Sequence, residues 1–298
     1  MTNIIEVNQL TKSFGSATTV NDVSFTIEEG KIYGLLGRNG AGKTTIMNMI
    51  TAQLFPTSGE IKVFGEAPYE NQSVLRQICF IKEGQQYPHL FRIADVLDLC
   101  PSLFPNWDNE YAYSLLEEYK LPVKRKIKKL SRGMLSSVGI VIGLASRAPL
   151  TIFDEPYLGL DAVARGIFYD RLLEDYAKHP RTIILSTHLI DEVSRMLEHV
   201  LLLDQGKLII NEEVDAIRGR AYTAIGSAKI MDSFMSGKQI LHQESMGSIV
   251  STTVFEPLDK QTRMEAEELG LEITPVSLQQ LIIHLTNNTP KRKVDLNQ

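Results

Sequence analysis

The chain carries only two cysteines and one tryptophan in 298 residues. Cys79 and Cys100 stand in one stretch without a paired spacing. That argues against a disulfide framework and a cysteine-based zinc site, and fits reduced thiols. Long apolar runs are missing too. The most apolar stretch, residues 138–153, is interrupted by Arg147 and Pro149 before it reaches membrane-spanning length. The first residues show no basic segment followed by an apolar one, so no secretion signal is expected. There is no basic excess: 31 Lys and Arg against 36 Asp and Glu leave a net charge of −5. A general nucleic-acid binder loses weight on that ground, and no nucleic-acid partner is expected. Any membrane contact therefore runs through a partner. What remains is 43% hydrophobic and 22% charged, ordinary for a folded globular protein of a size that needs no staples.

Residues 4–10 and 22–28 alternate as half-buried strands do. Residues 31–36 form a short apolar run that ends in a glycine-rich loop. From Lys43 the pattern turns helical, with Ile46, Met49 and Ile50 on one face. Another strand is expected at 60–64, and residues 93–119 are expected to be mostly helical. Residues 150–153 and 182–186 are short, fully apolar strands separated by helical sequence, the pattern of a parallel sheet covered on both faces. Residues 199–203 and 207–210 form a strand–turn–strand. The character shifts near Arg218, Gly219 and Arg220, and short strands and helices then alternate as far as Leu285.

Gly37-Arg38-Asn39-Gly40-Ala41-Gly42-Lys43-Thr44 matches G-x-x-x-x-G-K-[ST], with an apolar strand before it and a helix after it. The chemistry explains the residue types. Glycines let the backbone curl until successive N–H groups point inward at phosphate oxygens, and the helix N-terminus adds partial positive charge. Lys43 can reach the β- and γ-phosphates, and the Thr44 hydroxyl can ligate Mg²⁺. Thr45 follows on the same turn. Alone, this loop indicates a nucleoside triphosphate site and does not separate kinases, GTPases and ATPases. Further along, an apolar strand ends in two acids, Asp154 and Glu155. Asp154 can hold Mg²⁺, directly or through water, and Glu155 can polarise an attacking water.

Leu130-Ser131-Arg132-Gly133-Met134 separates the classes, because it resembles the LSGGQ signature of ABC-type ATPases and lies just upstream of Asp154-Glu155. Asp154-Glu155-Pro156-Tyr157-Leu158-Gly159-Leu160-Asp161 is similar to that family's second acidic motif followed by its D-loop. Ser186-Thr187-His188 resembles its switch-histidine motif, and Phe14 matches the aromatic that stacks on adenine. The motifs run in the family's order from about residue 10 to 190. The resemblance implies ATP and Mg²⁺ as cofactors and a head-to-tail closure with a second ATPase subunit, identical or different. Each ATP would touch the phosphate loop of one subunit (Gly37, Asn39, Gly40, Gly42, Lys43, Thr44, Thr45) and the signature of the other, through Ser131 and Gly133; Asp161 of the D-loop is a further nucleotide-binding candidate. Glu155 and His188 would carry hydrolysis, and Thr44, Asp154 and Glu83 would serve the metal.

The sequence departs from the family in places. Arg132 replaces the first glycine of LSGGQ and Met134 its glutamine, which raises the prospect of one weakened composite site or of a different second ATPase. The position of the family's Q-loop glutamine holds Glu83, or Gln85 on a slightly shifted alignment. The basic run 124–129 reads as a solvated face or as an attraction to phosphate or anionic membrane. The aromatic-rich 103–119 reads as local core or as a docking surface. The expected fold is α/β: a P-loop ABC-type ATPase domain with a mixed sheet core and a helical subdomain over 1–218, a small C-terminal α/β domain over 219–286, and a flexible tail over 287–298. The C-terminal part, with Pro275 to Leu281, resembles ATPases of drug, bacitracin-type antibiotic and amphipathic-peptide exporters, those for phenol-soluble modulins included. The implied partner is a separate transmembrane permease subunit, with the chain on the cytoplasmic face of the membrane.

Overall fold

A computed structural model describes residues 2–287. The chain forms two compact units. One runs to His188 and resumes over Met196–Asn211; the other comprises Leu189–Arg195 and the chain from Glu212 on. The second unit thus begins earlier than the expected boundary after residue 218, because the helix Val214–Arg218 and the chain excursion after His188 pack with the C-terminal segments. Residues 288–298, which hold nearly all of the expected tail, lie outside the described residues; residue 287 ends the last helix.

The first unit holds two sheets. Strands β1 (Asn3–Phe14), β2 (Ala17–Glu28) and β4 (Ser58–Val63) form an antiparallel sheet in the order β2-β1-β4. The other sheet has six strands in the order β5-β6-β7-β3-β8-β9. These are β3 (Ile32–Leu36), β5 (Ile78–Ile81), β6 (Leu150–Asp154), β7 (Thr182–Thr187), β8 (His199–Asp204) and β9 (Lys207–Glu213). The neighbours from β5 to β8 pair in parallel. Every residue of β3, β6 and β7 is buried, which is why these strands carry runs of apolar residues instead of alternating. β2 alternates because one of its faces meets solvent. Ile5, Leu10, Ile27, Leu35, Ile46, Met47, Ile152 and Ile184 form the core that joins the two sheets and the helix Lys43–Ile50.

The stretch expected to be mostly helical, 93–119, divides into three helices, Ile93–Leu97, Cys100–Leu103 and Asn109–Glu118. Two prolines cause the breaks. Pro101 starts the second helix and Pro105 follows it, after which Asp108 caps the third by accepting from the Tyr111 N–H at 2.8 Å. The apolar stretch 138–153 is half helix and half strand. The helix Arg132–Ala145 ends, the chain turns through Arg147 at φ 42°, and β6 begins. Arg147 anchors that turn on Asp108 at 2.8 Å and on Asp175 at 3.3 Å. Both thiols are buried, and burial pushes each up to about 12.

The parallel register positions the site. Leu36 lies opposite Thr187, Asp154 opposite Ser186 and Ile81 opposite Phe153. The residues just past these strand ends (the phosphate loop, Glu83, Glu155 and His188) therefore emerge side by side at the carboxyl edge of one sheet, where ligands bind in open α/β folds.

The second unit has strands β10 (Tyr222–Ser227), β11 (Ile240–Met246), β12 (Ile249–Val254) and β13 (Glu272–Pro275), with helices Ala228–Phe234 and Lys260–Glu268 between them. The order β11-β12-β10-β13, antiparallel throughout, is the β-α-β-β-α-β split arrangement. Tyr222, Ala224, Met231, Phe234, Val254 and Ala266 fill its core. The last helix, Leu278–Asn287, packs against the short helix Ile190–Val193, where Gln279 Oε1 accepts from the Asp191 N–H at 3.4 Å.

Candidate nucleotide site

The loop after β3 is built around glycines. Gly42 sits at φ 105°, and a Cβ there would lie 2.9 Å from the Thr19 carbonyl oxygen, so neither conformation nor space admits a side chain. Gly42 is also the N-cap of Lys43–Ile50, with no side chain to occupy the free N–H groups of the first turn. Those groups face a cavity of about 260 Å³ lined by Asn39, Gly40, Gly42, Lys43, Thr44, Thr45, Glu83, Asp154 and Glu155, among others. The spacing-based phosphate loop and the distant acids are thus gathered at one place.

Inside it, Lys43 Nζ donates to the Gly37 carbonyl at 2.8 Å and to that of Arg38 at 3.3 Å. Burial lowers the ammonium's pKa, against the opposing charges of Glu155 and Asp154. Glu83, Asp154 and Glu155 line the cavity with this one ammonium, so a polyanion entering it needs a cation beside it. Thr44 Oγ1 donates to Asp154 Oδ2 at 2.7 Å. Asp154 Oδ1 is buried without a partner, and so is Glu155 Oε1. The orphaned Asp154 oxygen, the Thr44 hydroxyl and the Glu83 carboxylate on the same cavity are hard oxygen donors, and they fit a Mg²⁺ ion and the waters it keeps.

Glu155 takes φ 48°, and its N–H donates to the Ser186 carbonyl at 3.1 Å, tying the acid to the end of β7. His188 Nδ1 lies 2.8 Å from Glu155 Oε2. Since a carboxylate only accepts, Nδ1 carries the proton and the imidazole's Nε2 stays free. The Tyr157 hydroxyl donates to the same Oε2 at 2.9 Å and also meets Thr187 Oγ1.

Other predicted residues stand apart from the cavity. Phe14, at the end of β1, is half exposed, with Lys12 Nζ 5.0 Å above its ring. Ser131 caps Arg132–Ala145 by accepting from the Met134 N–H at 3.2 Å. Gly133 lies so near Gly159 that a Cβ on it would be 2.5 Å from the Gly159 carbonyl oxygen. Asp161 caps the helix Ala162–Lys178 through the Ala164 N–H at 2.8 Å. Ser131, Gly133 and Asp161 do not line the cavity that Lys43 lines. Glu83 does, and its carboxylate also pairs with Arg132 at 3.0 Å. Gln85 does not line it. In the basic run 124–129, Ile127 is buried while its neighbours lie at the surface.

Sequence reasoning missed two links. Arg132 and Glu83 are 49 positions apart, and only their joint departure from the family pattern, with opposite charges, could have suggested a pair. Tyr157 stands two residues after Glu155, but nothing local says that its hydroxyl turns back to that carboxylate.

Residues 20–158 match the family model for ABC transporters. The chain is 34% identical to the bacitracin transport ATP-binding protein BcrA of Bacillus licheniformis, over 74% of this chain and 73% of that one. It is 27% identical to the ABC transporter ATP-binding protein YtrB of Bacillus subtilis, over 94% of this chain and 97% of that one. A solved ATP-binding subunit of an ABC transporter superposes with a TM-score of 0.66 at 29% identity, over 72% of this chain and 92% of that one. The chain belongs to the ATP-binding subunits of ABC transporters. It is an ATPase serving transport, and no helix among the described residues is long and apolar enough to cross a membrane.

Proposed function

We propose that this subunit drives export of an amphipathic peptide or peptide-like drug through a separate permease, working at the cytoplasmic face of the membrane. The relatives named for bacitracin and lantibiotic transport support the cargo class. The observation that carries the mechanism is that Asp154 and Glu155, each with a buried, unpartnered carboxylate oxygen, line the cavity that Lys43 lines. Loop N–H groups and Lys43 hold the β- and γ-phosphates. Thr44 and Asp154, with Glu83 on the same cavity, would hold Mg²⁺, which when bound would supply positive charge to the phosphate oxygens. Glu155 Oε1 takes a proton from the attacking water, the bond from the γ-phosphorus to the bridging oxygen breaks, and ADP leaves with the electron pair. His188 keeps that carboxylate aimed and presents Nε2 toward the γ-phosphate. Phe14 stacks on adenine. Ser131, Gly133 and Asp161 act on the ATP of a second subunit, which explains their place outside this chain's own cavity. Closure then requires a γ-phosphate, and hydrolysis releases it.

The test is Glu155→Gln. It is expected to abolish steady-state turnover, keep ATP affinity, and accumulate an ATP-bound dimer by light scattering. Persistent turnover would remove Glu155 as the base. A strictly monomeric variant in ATP would remove the closure mechanism.

A further inference from the structure

We infer that Tyr157 is a positioning residue for hydrolysis: it fixes the Glu155 carboxylate so that one oxygen is spent on the protein and the other is left for the water. The inference rests on Glu155 acting as the base. The proton inventory supports it. Glu155 Oε2 accepts from the Tyr157 hydroxyl at 2.9 Å and from His188 Nδ1 at 2.8 Å, while Oε1 is buried and unpartnered. Tyr157 has one hydroxyl proton, and a carboxylate has none to give. The tyrosine therefore donates to Glu155, and its oxygen also meets Thr187 Oγ1. The Tyr157 hydroxyl thus links Glu155 Oε2 to the end of β7.

The link is built to hold. Tyr157 is 3% exposed, and its ring lies 6.2 Å from that of His188 and 6.5 Å from that of Tyr169. Burial, and then the nearby Glu155 charge, raise the phenol's pKa, so it stays a donor. Thr187 ends β7 and directly precedes His188. The two donors to Oε2 therefore come from different elements: His188 from the end of β7, Tyr157 from the loop leaving β6. A carboxylate gripped from both sides cannot rotate about its Cγ–Cδ bond, and Oε1 keeps one direction. His188 supplies one of these two restraints, and Tyr157 supplies the other. The link also joins the loop that leads to Gly159 and Asp161 with the strand that leads to the switch histidine.

Tyr157→Phe keeps the ring and removes only the hydroxyl. It is expected to lower kcat about tenfold, the size of one hydrogen bond to a charged group, with ATP affinity and KM within about twofold. Thr187→Val should lower kcat by a smaller factor, and Thr187→Ser, which keeps the hydroxyl, should restore it. Unchanged kcat in Tyr157→Phe would overturn the proposal. So would parallel loss of ATP affinity and melting temperature, the mark of a merely structural residue. Should Tyr157→Phe not fold, the Thr187 pair decides: equal rates in the Val and Ser variants overturn the proposal. Glu155→Gln is run alongside. Turnover retained there rejects the base assignment. Turnover lost there with full activity in Tyr157→Phe rejects the positioning role alone.

Discussion

At the scale of single residues, Arg132 and Glu83 replace a glycine and a glutamine of the family pattern and meet each other at 3.0 Å. Their side chains are 66% and 48% exposed, so water screens the attraction. A double-mutant cycle of Arg132→Gly and Glu83→Gln, measured by urea unfolding, is expected to give a coupling of about 0.2–1 kcal/mol in about 0.1 M salt. The coupling should vanish near 1 M salt, where the screening length falls to about 3 Å. A larger, salt-independent value would show that the pair is desolvated. Either way, Glu83 lines the cavity and at the same time pairs with Arg132 of the signature segment. The legibility of these residues depends on their separation in sequence. Gly37 to Thr44 form one continuous motif, and Asp154-Glu155 closes an apolar strand, so their chemistry is written locally. The Arg132–Glu83 pair and the bond from Tyr157 to Glu155 depend on how distant or turning segments meet, and no local pattern encodes that.

At the scale of elements, the buried parallel strands are readable because each is a short run centred on consecutive apolar residues. The stretch 93–119 reads as nearly continuous helix because its apolar anchors outweigh Pro101 and Pro105, yet those prolines set the breaks. The helix Arg132–Ala145 carries a steric test. A Cβ at Gly133 would lie 2.5 Å from the Gly159 carbonyl oxygen, a backbone atom that cannot step aside. Gly166, inside the helix Ala162–Lys178, would meet nothing within 4 Å. Gly133→Ala is therefore expected to cost about 1–3 kcal/mol by forcing the signature helix off the loop at Gly159. Gly166→Ala is expected to gain about 1 kcal/mol from helix propensity. Urea midpoints of the two variants check this. Equal midpoints would show that the two segments can part at no cost, and would weaken any role for Gly133 that depends on its fixed place beside the D-loop.

At the scale of the whole molecule, the described chain has an ATP site and no membrane-crossing helix, while its family works in transport. On the proposed mechanism, the energy of closure passes to a separate permease, whose identity is not encoded in the phosphate loop. The departures at Arg132 and Met134 bear on the composition of the working pair. In a homodimer every composite site would carry the altered signature; in a heterodimer a second ATPase could supply an unaltered one. Affinity purification of this subunit from detergent-solubilised native membranes, with Glu155→Gln and ATP to hold the closed state, is expected to bring down a polytopic membrane protein. If a second, distinct ATPase comes with it in equal amount, the altered signature faces only one of two sites. In that case the variant Arg132→Gly should change turnover at that site alone. Recovery of this chain as its own sole ATPase partner would mean that both sites tolerate Arg132. Recovery without any membrane protein would remove the permease from the mechanism and leave the ATPase chemistry standing.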